Sequence, residues 1–158
     1  TLFPYTTLFR SVSVPALFTK LERLLQAEPR SERVVYCDGK VDRSTGKELQ
    51  VYGDANLLTL ALINLIRNAL RAIEGQEDGI VRVDTCAGAT GHLLITITDN
   101  GPGIPPERLS AIFTPFFSTK SGGSGIGLPI SQRIMQLHGG QLSVSSIPNV
   151  RTEFRMEF

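Results

Sequence analysis

The sequence predicts an α+β fold: a two-layer α/β sandwich whose mixed, mostly antiparallel sheet is covered on one face by about three helices. Three observations carry this. Strand-like runs come in pairs. Helical patterns separate the pairs. The strongest pattern, Ala55 to Ile73, runs without glycine or proline. A length of 158 residues suits one domain with a sizeable core.

Thr1 to Ser11 (TLFPYTTLFRS) has neither helical period nor clean alternation. It resembles the translation of a sequencing-adapter oligonucleotide, so residues 1–11 are set apart from the fold as non-native. Leu17, Leu21, Leu24 and Leu25 recur at helical spacing between Val14 and Glu28, with Pro15 and Pro29 at the boundaries. Residues 12–30 therefore read as a linker helix or the tail of a preceding element. Arg33 to Cys37 is a short β-branched strand, Asp38 to Lys47 a loop or hairpin turn, and Leu49 to Tyr52 a second strand.

Asp54 is a natural N-cap for the long helix, and Gly75 stands where its stop belongs. Ile80 to Cys86 and Leu93 to Thr98 read as an antiparallel pair. A loop from Asp99 to Pro105, a short helix from Pro106 to Ile112 and a flexible stretch from Thr114 to Ser124 follow. A helix from Gly125 to His138 stops at Gly139-Gly140, and Gln141 to Ser146 with Thr152 to Phe158 closes the chain as a hairpin.

Composition narrows the function. A net charge of +1 gives no electrostatic case for nucleic acid as the main partner. Cys37 and Cys86 form neither a disulfide framework nor a zinc site. No apolar run reaches the roughly 20 residues of a membrane span, and no signal-peptide pattern is present. The expectation is a cytoplasmic piece with no membrane insertion of its own, whether or not the full-length protein is anchored.

Four segments carry candidate chemistry. Asn64, Asn68 and Arg71 lie at i, i+4 and i+7, on one face of the long helix. Leu62, Ile66, Leu70 and Ile73 form the opposite, core-facing stripe. Asparagine is a poor helix former, so two of them ask for a reason. An amide oxygen suits Mg²⁺ and a guanidinium suits phosphate, although a solvated polar face has the same pattern. Asp99-Asn100-Gly101-Pro102-Gly103-Ile104 follows a strand directly; it is either a tight turn or a carboxylate placed to accept from an exocyclic amine. Gly122 to Leu128 (GGSGIGL) opens a helix and is either a linker or a phosphate cradle. It is neither a P-loop nor a dinucleotide fingerprint. Phe113 to Lys120 (FTPFFSTK) is an apolar hinge beside that loop.

Order and spacing remove the ambiguity. NLIRNALRA resembles the N-box of the histidine kinase catalytic domain, DNGPGI its first glycine box, FTPFFSTK its phenylalanine box and GSGIGLPIS its second glycine box. The four stand in the family's order from Asn64 to Ser131, and the resemblance covers roughly Ser31 to Phe158. The fold it implies is the Bergerat ATP-binding sandwich shared with gyrase, HSP90 and MutL ATPases. On this resemblance residues 31–158 are the catalytic domain, and residues 12–30 could be what remains of a dimerisation domain.

The resemblance also implies roles. Asn68 would ligate Mg²⁺ bridging the ATP phosphates, with Asn64 in support and Arg71 near the phosphates. Asp99 would bind the adenine amino group, in a pocket shaped by Gly101 and Gly103. Lys120 and the segment Ser121 to Ser124 would form a lid. Gly125 and Gly127 would present N–H groups to the phosphates, with Ile104, Phe116, Ile126 and Leu128 completing the nucleotide site. Arg151-Thr152 departs from the family's Gly-Thr, a change expected to touch only the hairpin turn.

The implied reaction passes the γ-phosphoryl group of ATP to a histidine on a dimerisation domain, and from there to a response regulator receiver domain. His92 reads as a turn residue and His138 as a helix C-cap; neither has the acceptor's context. The competing readings are an ATPase of the gyrase type, an anti-sigma-type serine kinase and a nucleotide-binding interaction module. Asn64 stands where such ATPases place a glutamate base, FTPFFSTK argues against the serine kinase, and intact Asn68, Asp99, Gly125 and Gly127 argue against the bare module.

Overall fold

The structure is a computed structural model that describes residues 8–37, 46–87, 92–117 and 123–158. Along the chain run β1 (Arg10–Ser13), α1 (Val14–Leu25), β2 (Val34–Tyr36), β3 (Gln50–Gly53) and α2 (Ala55–Ala72). Then come β4 (Val81–Ala87), β5 (Leu93–Asp99), α3 (Pro106–Leu109), α4 (Gly127–Leu137), β6 (Gln141–Ile147) and β7 (Arg151–Glu157). Five strands form one sheet in the order β2-β4-β5-β7-β6, and only the β2–β4 pair is parallel. The expected α+β layering is present.

Strict alternation decides the buried face. Leu93, Ile95, Ile97 and Asp99 of β5 are buried, as are Val81 and Val83 of β4 and Thr152, Phe154 and Met156 of β7. α2 lies across this face with Leu58, Leu62, Leu65, Ile66, Leu70 and Ile73 buried. Full burial of one such side chain contributes roughly 1.5–3 kcal/mol. The Asp54 carboxylate caps α2, its Oδ1 accepting from the N–H of Asn56 (2.9 Å) and Leu57 (3.1 Å). Gly75, just beyond the helix, has φ +82°.

α1 is part of the same core. Val14, Leu17, Phe18, Leu21 and Leu25 are buried, and Phe18 meets the Tyr36 ring of β2 at 5.7 Å. His138 caps α4 and ties it to α2: Nδ1–H donates to Ile134 O (2.7 Å), and Nε2 accepts the N–H of Asp54 (3.0 Å). These two bonds require the neutral ring. Its face stacks on Phe9 at 4.7 Å. His92 Nδ1 donates to Phe158 O at the end of the hairpin (2.8 Å).

Several expectations change. Arg10 and Ser11, set apart from the fold above, open β1, which pairs with β3 antiparallel from Arg10↔Gly53 to Ser13↔Gln50. The backbone partner supplies the strand, so no alternation in the segment is needed. β2 and β3 therefore do not form a hairpin with each other; β2 joins β4 in parallel. Most of the expected turn between them lies outside the described residues. The short helix ends at Leu109 rather than Ile112, and residues 111–116 continue as turns. The last helix begins at Gly127 rather than Gly125, because Gly125 is left-handed at φ +67°.

Candidate functional site

α2 carries its polar face away from the core, and that face forms one wall of a cavity of about 400 Å³. Asn64, Arg67, Asn68 and Arg71 line it from α2. Asp99 ends β5 at its floor, beside Thr152 of β7. Pro102, Gly103, Ile104, Pro105 and Arg108 close one side; Gly123, Ser124, Gly125, Gly127 and Leu128 close the other. The volume lies within the range of small-molecule sites.

The floor is built tightly. Asp99 and Thr152 are 3% and 4% exposed, and the β5–β7 register sets them directly opposite each other. Asp99 Oδ1 accepts the N–H of Gly101 (2.9 Å). A side chain at Gly101 would strike that oxygen at 2.7 Å and the Ala72 carbonyl at 2.9 Å, so the strand end meets α2 only through glycine. Asn100 braces the same end: its Oδ1 accepts from Ile80 N–H (2.7 Å) and its Nδ2 donates to Asp78 O (2.9 Å). Gly103 has φ +75° and packs against the Ile147 carbonyl of the β6–β7 turn, where Asn149 N–H donates to Pro102 O (2.8 Å).

The opposite wall is α4 and the segment before it. Asn64 Nδ2 donates to Gly127 O (3.3 Å), and Ser131 Oγ donates to the same carbonyl (2.9 Å). The first bond holds the start of α4 to α2; the second lies within the first turn of α4. Gly125 has φ +67°, and a Cβ there would meet Phe116 C at 2.6 Å. The backbone at Phe116 (φ +65°) answers it, its N–H donating to Gly125 O (2.9 Å). Gly127 differs: a Cβ would sit 3.6 Å from Asn64 Cγ, an ordinary contact but one inside the cavity.

The lining carries three arginines and one carboxylate. Arg67 is partly engaged elsewhere, with Nε 2.7 Å from Glu28 Oε1. The balance favours an anionic ligand whose one cationic or amine-bearing part meets Asp99.

Most residues singled out by sequence converge here: Asn64, Asn68, Arg71, Asp99, Gly103, Ile104, Ser124, Gly125, Gly127 and Leu128 all line the cavity. Gly101 lies behind the floor. Phe116, 81% exposed, and Ile126, 39% exposed, are off the wall, their backbone shaping the loop instead. Lys120 lies outside the described residues, as do Ser121 and Gly122. Sequence reasoning missed Arg67, Arg108, Phe117 and Thr152. Arg151, which stands in place of the family's glycine, pairs with Ile147 at the β6–β7 turn and does not line the cavity, while Thr152, unchanged from the family's pattern, is a floor residue.

A protein-family model matches residues 53–158: histidine kinase-, DNA gyrase B-, and HSP90-like ATPase. The chain belongs to this family. Within it, the chain is similar to the sensor histidine kinase ZraS of Salmonella typhimurium, 44% identical over 62% of this chain and 21% of that one. It is also similar to the sensory histidine kinase/phosphatase NtrB of Vibrio alginolyticus, 34% identical over 86% of this chain and 40% of that one. It thus spans less than half the length of either relative. Among solved structures, the catalytic domain of histidine kinase ThkA superposes with a TM-score of 0.77 at 28% identity, covering 96% of this chain and 95% of that one. The expected resemblance and fold are borne out: the chain belongs to this ATPase family and is similar in sequence and fold to histidine kinase catalytic domains. No helix among the described residues is long and apolar enough to cross a membrane.

Proposed function

We propose that this domain binds Mg-ATP in the cavity and donates its γ-phosphoryl group to a histidine on a separate dimerisation domain, from which a response regulator receiver domain takes it. The observation that carries the reading is the polarity of the cavity. A buried Asp99–Thr152 floor meets the base, while three arginines and the start of α4 face the phosphates. Asp99 accepts from the adenine amine. Gly125 and Gly127 let the backbone approach the phosphates, since a Cβ at Gly127 fills space beside Asn64. Asn68 lines the cavity with an amide oxygen, a hard donor that would hold Mg²⁺, and the ion would supply neutralisation of phosphate charge. Arg71 and Lys120 add positive charge. The remaining work is positioning.

A water-activating ATPase is the second reading, and Asn64 speaks against it. An amide cannot accept a proton as a general base, and this one is already bonded to Gly127 O. Both ring nitrogens of His138 are committed to backbone partners, which argues against it as acceptor. Calorimetry with Mg-ADP, followed by incubation with γ-radiolabelled ATP, tests the reading. Nucleotide binding without self-labelling is expected. Rapid phosphate release by the chain alone would favour the ATPase; no nucleotide binding would leave an interaction module. Residues 1–11 we take to be foreign to the natural protein; mass spectrometry of the native protein checks this.

A further inference from the structure

The floor of the cavity continues one strand further than the ligand wall. Val81, Asp99, Thr152 and Ser146 stand in one row across β4, β5, β7 and β6, each opposite the next in register. Ser146 does not line the cavity, but its hydroxyl touches two elements that do. Oγ accepts the N–H of Ile104 at 2.8 Å, lies 3.0 Å from Thr152 Oγ1 and lies 3.1 Å from the Arg151 carbonyl. Ile104 and Thr152 flank Asp99 in the cavity wall.

A hydroxyl has one proton and two lone pairs. Ile104 fills one lone pair. The proton then goes either to the Arg151 carbonyl, with Thr152 donating into the second lone pair, or to Thr152. In both arrangements Thr152 Oγ1 is held in place beside Asp99, donating to Ser146 in the first and accepting from it in the second, and the backbone after the first glycine box is pinned to β6. We propose that Ser146 is a positioning residue for base recognition, acting through Thr152 and the Ile104 amide. This rests on the reading that Asp99 meets adenine.

The consequence is selective. Losing the Oγ frees Ile104 N–H and lets the Thr152 hydroxyl rotate, so contacts at the amine-bearing edge of the base suffer. Contacts at the phosphates, across the cavity on α2 and α4, do not. The test compares ADP with IDP, whose hypoxanthine lacks the exocyclic amine, by calorimetry on the intact chain with Mg²⁺ present. Ser146→Ala should weaken ADP about tenfold, as loss of a hydrogen-bond network of this size implies. IDP should weaken by less than about threefold, so the preference for ADP shrinks. Ser146→Thr keeps the hydroxyl and should keep the preference.

Equal loss for both nucleotides, or none for either, would overturn the role of Ser146. If Ser146→Ala does not fold, Ser146→Thr against Ser146→Val decides the same point. Both carry the extra methyl and only Thr keeps the oxygen; an unchanged ADP preference in the Val form overturns the proposal. A wild-type chain that binds both nucleotides equally would instead remove the adenine reading, and the role of Ser146 with it.

Discussion

The floor and the rim of the cavity are built on opposite plans. At the floor, Asp99 and Thr152 are nearly inaccessible, paired in register and braced by Asn100, Gly101 and Ser146. At the rim, Arg67 and Arg71 of α2, Arg108 of α3 and Ser124 before α4 are exposed. The floor is preorganised for one shape and one donor pattern; the rim offers diffuse positive charge to whatever the floor has oriented. The difference teaches that selectivity and charge neutralisation are separable in this domain, and substitutions should divide along that line.

The largest effect belongs to the floor. Asp99→Asn keeps an oxygen for Gly101 N–H but loses the charge, and should weaken ADP roughly 10- to 100-fold while hardly moving the melting temperature. A melting shift equal to the affinity loss would show that Asp99 is mainly structural. Next come two glycines of the second glycine box. Gly125→Ala meets both a left-handed backbone and Phe116 at 2.6 Å, so it should cost about 1–2 kcal/mol in denaturant unfolding. Gly127→Ala meets neither, so stability should stay within about 0.5 kcal/mol while ADP binding drops. Equal stability losses would erase the distinction.

At the rim, Arg71→Ala should weaken ATP more at low salt than at high salt, whereas Asp99→Asn should show no such dependence. The smallest effect lies away from the cavity. Burial pushes the Asp54 carboxyl up, but the N–H groups of Leu57, Asn56 and Leu8 outweigh burial and hold it below its ordinary 3.8. Its lowered value contributes stability above pH 3.8 that is lost as pH falls through the folded value. Asp54→Ala should cost about 1 kcal/mol at neutral pH, and progressively less in acid.

The α2 wall was largely legible in the sequence, because Asn64, Asn68 and Arg71 share a face by helical spacing alone. The cap at Asp54 and the stop at Gly75 are equally local signals. Half of the floor was not. Asp99 stood in a motif, but Thr152 and Ser146 acquire meaning only from cross-strand register, which pairs residues 53 and 47 positions from Asp99. The β1–β3 pair was hidden for the same reason, since Arg10 and Gly53 are brought together by tertiary structure. Arg108 gave no signal either: a charged residue on a short helix ordinarily faces solvent.

The most direct measurement is phosphotransfer itself. The chain, with a histidine-bearing dimerisation domain fused ahead of Val12, is incubated with Mg²⁺ and γ-radiolabelled ATP. Acid-labile label on the histidine of the added domain, abolished by Asp99→Asn, is the expected result. Steady release of free phosphate with no label on that histidine, despite nucleotide binding, would contradict the account.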